Sequence, residues 1–538
     1  MGNQPLVAAL LSALIPGAGQ LYARRPVRAV AFFLPIAVLA GGAAFGVSSL
    51  GKLGVAQLLV QPDVLSWLLL GNVVILTWRI AASIDAFIVT TTTADRSWMS
   101  VTLALLLLAL AVPHLIGWSY GIRTINALEA VFVAAPADGG VPAVQIPSST
   151  LPDTLPDPAV DDGPIHVKER SARNYILRDG IGDPDAVASR IDIIAPASPI
   201  APFVPFTERV DPDRVTILLV GGDAGPGREG LRTDSMNVVS VDLDTGQVAM
   251  FGLPRNFKLV PLPRRLRNSF VELEKRVIEK DLTDADGDGY PDTWTDADGD
   301  GIPEEPAFVS CACFPDMLNK VYKNTRNWTR TYPNSPDPGL SALRDIVSNL
   351  LDLHIDYFVM VDMAGFVRAI DAIGGIDVLV QEPYHVMVSS PEEGKPKARV
   401  DVDPGMNHLS GPEALAYARW RIGSSDYDRM GRQRCIIRAA ATQADTVTLI
   451  RAYPRLLDLV EEYVTTDVPL TFLPDLVQIA GSIDYNDIAT VGFVPPTYNS
   501  GRTPRKYPIP NVERIRWKVR QVLEEGPAAQ SKTGISEC

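Results

Sequence analysis

Long apolar stretches occupy most of the first 125 residues of the chain. They cover residues 1–23, 29–51, 64–82 and 97–122. Only the third stretch contains a charged side chain, at Arg79. A membrane-spanning helix needs about 20 predominantly apolar residues. The pattern therefore predicts a four-helix transmembrane domain over residues 1–125.

The arginines between these stretches predict the orientation in the membrane. Arg24, Arg25 and Arg28 lie in the first connection and Arg96 lies in the third, whereas the second connection offers only Lys52. Connections rich in Arg and Lys stay in the cytoplasm. With four spans, we expect both termini and the whole chain after the fourth span to lie outside.

Strands and helices alternate from residue 214 onward. Apolar runs and turn residues predict strands at 215–221, 236–244, 247–253, 357–361 and 376–380, and helices at 340–353 and 364–373. Such alternation is typical of a layered α/β domain. The expected fold class is an α-helical membrane domain plus an external α/β domain, with a layered mixed sheet flanked by helices.

Composition divides the remainder of the chain. Residues 126–210 are rich in Pro, Asp, Ala and Ser, and such a segment buries too little apolar surface to order itself. We predict an extracytoplasmic linker there, followed by the α/β domain at 211–445 with an insertion at 281–306. Residues 446–538 are expected to be a C-terminal extension of that domain with a disordered tail.

The overall composition excludes some classes of protein. The chain has 63 acidic and 49 basic side chains, a net charge of −14, which argues against a nucleic-acid binder that uses a basic surface. Five histidines and four cysteines without a C-x-x-C pair argue against a zinc site.

Two carboxylates directly follow the first predicted strand of the α/β domain. Asp223 lies in Gly221-Gly-Asp223, and Asp234 lies in Arg232-Thr-Asp234-Ser235. Sites in α/β domains lie beyond the carboxyl ends of the strands, and paired carboxylates suit a hard cation such as Mg²⁺. An ordinary turn rich in Gly and Asp is the alternative interpretation.

Five arginines fall within 16 residues of this acidic chain, between Arg419 and Arg434. They follow a predicted helix that begins at the capping box Ser410-Gly-Pro-Glu413. Arginine forks match phosphate oxygens in a bidentate manner. A pyrophosphate held by arginines and Mg²⁺ would account for both clusters, although a run of arginines can also be a solvated helix face.

Eight sequence elements between residues 214 and 445 form one recognisable set. They are Gly221-Gly-Asp223, Arg232-Thr-Asp234-Ser-Met236, Leu253-Pro-Arg255-Asn256, Asn319-Lys-Val-Tyr322, Ile355-Asp-Tyr-Phe358, Asp371-Ala-Ile-Gly-Gly-Ile-Asp377-Val, Ala414-Leu-Ala-Tyr417-Ala-Arg419-Trp-Arg421, and the run from Asp426 or Asp428 through Arg429 and Arg432 to Gln433. Jointly they resemble the LytR-CpsA-Psr family of membrane-anchored bacterial proteins.

The resemblance implies a phosphotransferase at the outer side of the cell membrane. Such enzymes move a glycopolymer from a polyprenyl-pyrophosphate carrier onto a peptidoglycan hydroxyl. When the family's roles are assigned to the matching motif positions, Asp223 and Asp234 would hold Mg²⁺. The catalytic and pyrophosphate-binding residues would be Asp234, Arg232, Arg255, Arg419, Arg421, Arg429, Arg432 and Gln433. Asn256 departs from the family's usual Asp, which puts a general-base or metal-linked role at that position in doubt.

The insertion contains an acidic repeat. Asp284-x-Asp286-x-Asp288-Gly289-x-x-Asp292 recurs twelve residues later as Asp296-x-Asp298-x-Asp300-Gly301, with Glu304 or Glu305 after it. Alternating carboxylates before a turn glycine are typical of Ca²⁺ loops, and the repeat resembles thrombospondin type 3 repeats. Structural Ca²⁺ is expected at Asp284, Asp286, Asp288, Asp292, Asp296, Asp298, Asp300 and Glu304, and a solvated acidic loop is the alternative.

The cysteine pairing stays open at this point. Cys311 and Cys313 follow the acidic repeat, and an external location permits a disulfide. A bond within C-x-C would be strained, and pairing with Cys435 or Cys538 cannot be predicted from sequence.

Two functions fit these observations. The first is an Mg²⁺-dependent ligase in the cell membrane, with a polyprenyl-pyrophosphate-linked glycan as donor and peptidoglycan as acceptor. The second is a non-catalytic, membrane-tethered protein that binds polyprenyl phosphate or wall polymer. The near-complete set of carboxylates and arginines favours the enzyme.

Overall fold

The structure is a computed structural model. It describes residues 5–91, 96–132, 213–222, 233–281, 310–388, 398–420, 425–444, 448, 452, 455–456, 459–460, 462–483, 488–503 and 505–529. The chain forms two compact units, one within Met1–Ala130 and Pro469–Gly481 and the other within Val131–Val468 and Ser482–Cys538. Apolar helices at the N-terminus followed by an α/β domain confirm the expected fold class.

Five helices form the N-terminal part of the first unit. They are α1 Pro5–Leu14, α2 Ala18–Tyr22, α3 Pro26–Leu59, α4 Pro62–Thr90 and α5 Arg96–Val131. Among the described residues, three helices, within α3, α4 and α5, are long and apolar enough to cross a membrane. The first apolar stretch is instead split into α1 and α2, with ten and five residues. Each is too short to span the hydrocarbon core.

The break between α1 and α2 is a close-packed glycine turn. Gly17 has φ 96°, and a Cβ there would lie 2.3 Å from the carbonyl oxygen of Ala29. A Cβ on Gly19 would lie 2.0 Å from the carbonyl oxygen of Ala8. Because only glycine fits both positions, the Pro-Gly-x-Gly stretch ends one helix and packs the next against its neighbours.

The second unit contains fourteen strands and seven helices among its described residues. The strands are β1 Arg214–Gly222, β2 Thr233–Asp242, β3 Val248–Gly252, β4 Val260–Pro261, β5 Cys313–Phe314, β6 Tyr357–Asp362, β7 Ile376–Val380, β8 Tyr384–Val388, β9 Ala398–Val402, β10 Gly405–Leu409, β11 Val464–Thr466, β12 Ile488–Gly492, β13 Asn499–Arg502 and β14 Pro508–Pro510. The helices are α6 Val271–Asp281, α7 Val321–Thr325, α8 Pro338–Leu351, α9 Met363–Ala372, α10 Gly411–Arg419, α11 Asp426–Gln443 and α13 Val512–Glu525; α12 Leu473–Ser482 belongs almost entirely to the first unit.

A mixed six-stranded sheet lies at the centre of the second unit, in the order β11-β6-β1-β2-β3-β12. β1 pairs with β6 in parallel, as β3 does with β12. The other neighbouring pairs are antiparallel. The parallel pairing of β12 with β3 makes the C-terminal extension part of the central sheet.

Local signals explain why the helices begin and end where they do. The Asp337 side chain accepts a hydrogen bond from Leu340 N at 3.0 Å and caps α8, with Pro338 in its first turn. Gly374 and Gly375 have φ values of 93° and 94°, which end α9. The predicted helices at 340–353 and 364–373 therefore agree with α8 and α9 within two residues.

Side chains alternate between the two faces of the central sheet. Leu218 and Val220 of β1 join a core cluster that includes Ile346 and Leu350 of α8. Leu219, between them, points to the opposite face, where α9, α10 and α11 pack and a cavity remains. This second face holds the candidate site.

A disulfide joins Cys311 and Cys313, the pairing within C-x-C that was expected to be strained. Cys435 is also disulfide-bonded. The expected Ca²⁺ ligands between Asp284 and Glu304 lie outside the described residues, so the calcium sites stay a prediction.

Candidate functional site

The C-terminal end of β1 lies beside the start of β2 at one edge of the central sheet. Gly221 pairs with Ser235, and a Cβ on Gly221 would lie 2.9 Å from the Cβ of Ser235. The close approach of the two strands places Asp234, near the start of β2, at this edge.

Asp234 is held by two side chains from other parts of the chain. Arg255 Nη1 donates to Asp234 Oδ2 at 2.7 Å, and Asn319 Nδ2 donates to Oδ1 at 2.9 Å. Burial by itself would raise the pKa of Asp234, but Arg255, the Asn319 hydrogen bond and the charge of Arg429 outweigh it and lower the pKa. Asp234 is therefore an ionised carboxylate at neutral pH.

Arg255 also binds a second carboxylate. Its Nη2 donates to Asp426 Oδ1 at 3.1 Å and its Nε donates to Oδ2 at 3.3 Å. Burial would lower the pKa of Arg255, but Asp234 and Asp426 raise it. Arg255 thus connects the segment after β3 to both β2 and the first turn of α11.

Arg429 of α11 is the fourth member of a charge network that consists of Asp234, Arg255, Asp426 and Arg429. Its Nη2 donates to Asp426 Oδ2 at 3.2 Å and to the backbone oxygen of Asp234 at 3.4 Å. Ser425 and Asp428 form a capping box that fixes the start of α11. The helix start therefore positions Asp426 and Arg429 over the edge of the sheet.

A cavity of about 350 Å³ opens between this face of the sheet and helices α9, α10 and α11. Its size is at the lower end of small-molecule sites, about 300 to 1,000 Å³. Apolar side chains form most of its wall, among them Leu219, Val359, Val361, Phe366, Ile370 and Ile436. The polar part of the wall includes Asp234, Arg419, Arg429 and Gln433. Because Asp234 and Arg429 also belong to the charge network, one space joins apolar walls to charged groups.

The structure brings most of the described predicted site residues close to this cavity. Arg419 lines it, with Nη1 3.2 Å from the sulfur of Met363. Gln433 lines it too, and its Nε2 donates to the backbone oxygen of Ala418 at 3.4 Å. These contacts tie α10 to α9 and α11 at the cavity wall.

Arg432 is placed differently from Arg419 and Arg429. Its Nε donates to the backbone oxygen of Tyr417 at 3.2 Å, and its Nη2 donates to that of Trp420. Its guanidinium carbon lies 5.1 Å from the centroid of the Trp420 ring. Burial lowers its pKa. These contacts hold the end of α10 against α11, and the pyrophosphate role of Arg432 stays a prediction.

Three predicted site residues, Asp223, Arg232 and Arg421, lie outside the described residues. Sequence reasoning assigned no site role to Asn319, although the Asn-x-x-Tyr element contained the signal. It also missed the apolar wall, because nothing local in the sequence marks which residues face a cavity.

Asn256 lies next to the charge network. Its Oδ1 is buried and has no hydrogen-bond partner among the residues that the structure describes. Burial raises the pKa of the neighbouring Tyr427, and a hydrogen bond with the Asn256 side chain partly offsets this. A neutral amide therefore occupies the position where the resembling family usually has a carboxylate.

Comparison with known proteins finds similarity to the same family. Residues 292–503 match the LytR_cpsA_psr family. The polyisoprenyl-teichoic acid–peptidoglycan teichoic acid transferase TagV of Bacillus subtilis is 31% identical over 183 residues, which is 34% of this chain and 46% of TagV. TagU of Halalkalibacterium halodurans, with the same activity in its name, is 36% identical over 134 residues, 24% of this chain and 41% of TagU.

The chain thus spans less than half the length of each of these two curated relatives. The crystal structure of B. subtilis TagV superposes with a TM-score of 0.38 at 23% identity, covering 59% of this chain and 99% of that one. The structure of TagT bound to LI-WTA gives a TM-score of 0.37 at 17% identity, covering 59% and 93%. The similarity to the LytR-CpsA-Psr family that the motifs predict is confirmed by the family match.

Proposed function

We propose that the α/β domain is a phosphotransferase that moves a glycopolymer from a polyprenyl-pyrophosphate carrier to a peptidoglycan hydroxyl. One observation carries the proposal: the same cavity has mainly apolar walls and a charged part that includes Asp234, Arg419 and Arg429. A polyprenyl pyrophosphate has the matching chemistry, because it joins an apolar chain to two phosphoryl groups. The names of TagV and TagU support a teichoic acid or a related polymer as the transferred group.

The apolar wall would hold the first part of the polyprenyl chain. Each methylene group removed from water contributes about 0.8 kcal/mol. The wall is built from rigid elements, with Val359 and Val361 on the sheet and Phe366 on α9. Such a wall need not order itself when the lipid binds, so that more of the binding energy can place the pyrophosphate beside the arginines.

The arginines would bind and orient the pyrophosphate. The two terminal nitrogens of Arg255 each carry a second hydrogen beyond those donated to Asp234 and Asp426. Charge spreads over the phosphoryl oxygens during transfer, and preorganised donors stabilise it. Arg429 lies in both the cavity wall and the charge network. We therefore assign binding and charge stabilisation to Arg255, Arg419 and Arg429.

Asp234 fits the part of a magnesium ligand. It is ionised, and each of its oxygens has a lone pair beyond the one used by Arg255 or Asn319. Asp223 would supply the second carboxylate that the motif assigns. Bound Mg²⁺ would neutralise charge on the pyrophosphate oxygens. Asp234 itself is a weak base because its pKa is lowered, and Asn256 cannot accept a proton, so neither residue is assigned as the general base.

We also place this domain outside the cell membrane. Arg24 and Arg25 precede α3, and the positive-inside rule puts them in the cytoplasm. Three crossings by α3, α4 and α5 then bring the chain after residue 131 to the outside. Because α1 and α2 are too short to cross, three spans replace the four expected from the sequence, and the N-terminus moves from the outside to the cytoplasmic side. An epitope after Cys538 should be digested by protease added to intact cells, and one before Met1 should be protected. Protection of the C-terminal epitope would reverse the orientation.

The alternative is a non-catalytic receptor for the same lipid. The neutral Asn256 favours it, and so do the hydrogen bonds that Arg255 and Asn319 already donate to the two Asp234 oxygens. The two functions separate in one experiment with the purified full chain in detergent, Mg²⁺, lipid-linked glycan and peptidoglycan. Release of polyprenyl phosphate together with linked polymer supports the enzyme, whereas donor binding with no product supports the receptor.

A further inference from the structure

A disulfide and a buried carboxyl group lie together at the base of the 281–306 insertion. A carboxylate oxygen of Glu274 and the sulfurs of Cys311 and Cys313 all lie within 4.8 Å of one another. The two cysteines are bonded, with their Cα atoms 5.1 Å apart. A disulfide contains no thiolate, so the two cysteines cannot bind a metal ion while they are bonded to each other. Chemistry other than metal binding has to explain why the carboxyl group lies beside them.

The two cysteine residues differ in their exposure to solvent. Cys311 is partly exposed, whereas Cys313 is 2% exposed and belongs to β5. A thiolate from solvent can therefore attack the sulfur of Cys311, and Cys313 would be the leaving group. The sulfur that leaves is the one enclosed by protein, where a proton donor in the protein is needed.

Glu274 lies where it can donate a proton to the leaving sulfur. It is 5% exposed and accepts hydrogen bonds from Ser310 Oγ at 2.6 Å and from Cys311 N at 2.9 Å. Burial raises its pKa and these two hydrogen bonds offset part of the rise, and no charged group is among the causes of the shift. A carboxyl group of this kind keeps a larger protonated fraction near neutral pH than an exposed glutamate does.

The backbone around the disulfide keeps the two cysteines close when the bond opens. Pro261 of β4 pairs with Cys313 of β5, and Leu262 N donates to the backbone oxygen of Ala312 at 3.1 Å. Ala312 has φ 52°, a left-handed conformation that costs about 1 to 2 kcal/mol for a residue other than glycine. Opening the bond allows Ala312 to relax, while the β4–β5 pairing keeps Cys313 in the core.

We propose that Cys311–Cys313 is a thiol–disulfide exchange site in which Glu274 transfers the proton. A thiolate of an external dithiol attacks Sγ of Cys311, the bond between the cysteines breaks, and the leaving Cys313 thiolate takes the proton of Glu274. The second thiol of the dithiol loses its proton to water and attacks the dithiol's own sulfur in the mixed disulfide, and the released Cys311 thiolate takes up a proton from water. The cysteine pair gains two electrons, and the external dithiol becomes a disulfide. In the reverse direction Glu274 accepts the proton of Cys313.

This chemistry would act on the base of the insertion. Glu274 precedes the insertion on α6, and Ser310 and Cys311 follow it, so the same carboxyl group joins both ends. The oxidation state of the cysteine pair would therefore set how firmly the insertion is held. The site does not depend on the proposed transferase activity.

The test uses the full chain in detergent under native conditions, with dithiothreitol as the external dithiol. Free thiols are alkylated at intervals, and the peptide with Cys311 and Cys313 is quantified by mass spectrometry, which separates it from the bonded Cys435. Glu274→Gln keeps an oxygen that accepts from Ser310 and Cys311 but has no proton to transfer. Glu272→Gln, at an exposed position on the same helix, is the matched control.

We expect the bond to open without denaturant and to open at least about tenfold more slowly in Glu274→Gln than in the control at pH 7. The ratio of the two rates should fall toward one at alkaline pH, where Glu274 is ionised and has no proton to donate. A bond that opens only after unfolding in urea would overturn the exchange site. Equal rates for both variants at every pH would remove Glu274 from the reaction and with it the proposal.

Discussion

Arg255 and Asp234 form an ion pair of 2.7 Å between Nη1 and Oδ2 across 21 positions of the chain. The pair connects the segment after β3 to the start of β2, and Asp426 binds the other side of the same guanidinium. Arg255 therefore organises two carboxylates while it keeps hydrogens for a third anion. This relationship is the basis of the first prediction.

Replacing Arg255 by Ala should lower glycopolymer transfer by about a hundredfold or more. A preorganised donor at a developing charge contributes on the order of 3 to 4 kcal/mol, and Asp234 and Asp426 would also lose a shared partner. Initial rates with saturating donor measure the effect. Arg276→Ala on α6 is the control, since Arg276 Nε donates to the backbone oxygen of Glu272 within its own helix, at 3.3 Å. Equal rates for both variants would contradict the role of Arg255.

Filling the cavity should weaken binding of the lipid donor. Ala440 of α11 lines the cavity, so the indole of Ala440→Trp would occupy space meant for the polyprenyl chain. We expect at least a tenfold weaker affinity, measured with a fluorescent polyprenyl pyrophosphate. Thr442→Trp adds the same ring at an exposed position of the same helix and should bind as the parent does. Unchanged affinity in Ala440→Trp would place the lipid elsewhere.

The stability around α8 should decrease as pH rises from about 4 to about 6. Burial raises the pKa of Asp337 to about 6, despite hydrogen bonds from Leu340 N and Tyr322. Between the unfolded value of 3.8 and the folded value, the folded chain binds more protons, so the free energy of unfolding falls with rising pH. Two pKa units correspond to about 3 kcal/mol at most.

Asp337→Asn tests this pH dependence, because Asn caps a helix equally well but does not titrate. Hydrogen exchange of the α8 peptide, corrected for the intrinsic exchange rate, reports the local free energy of opening. The slope between pH 4 and 6 should become flatter in Asp337→Asn and stay unchanged in Asp244→Asn, which is exposed. The same slope in all three proteins would show that Asp337 does not titrate in this range.

The acidic repeat should bind Ca²⁺ and stabilise the insertion without taking part in the chemistry. Asp286 and Asp298 occupy equivalent positions of the two loops. Replacing both by Ala should remove the increase in protease resistance that Ca²⁺ gives the parent between residues 281 and 306. Mg²⁺-dependent transfer should stay within about twofold of the parent. If Ca²⁺ and a chelator give the parent the same resistance, the loops are solvated acidic turns.

Elements with local signals could be predicted from the sequence. The turn Asp244-Thr-Gly246 predicts the β2–β3 hairpin, and Gly374-Gly375 predicts the end of α9. The clustering of Asp234 with Arg255 was expected from the family resemblance, which assigns both residues to one pyrophosphate site. Each of these signals depends on a few adjacent residues or on the order of elements along the chain.

Features that depend on distant packing could not be predicted in this way. β12 joins the sheet by pairing with β3 across more than 200 residues, and the Asn319 bond to Asp234 depends on where the loop before α7 folds back. The cavity exists because α9 and α11 leave space over Leu219 and Val359. In the first unit, average hydropathy conceals the break at Pro16 and Gly17 that separates α1 from α2.

The central claim is that this cavity supports transfer and not only binding. The most direct measurement is the amount of polyprenyl phosphate released by the full chain from a lipid-pyrophosphate-linked glycan, with peptidoglycan and Mg²⁺, quantified by mass spectrometry. The account predicts that polyprenyl phosphate is released only when acceptor is present, in an amount equimolar with the linked polymer. Asp234→Asn should abolish this release. Tight donor binding with no release, in the parent and after restoring the carboxylate by Asn256→Asp, would contradict the transferase and leave a lipid receptor.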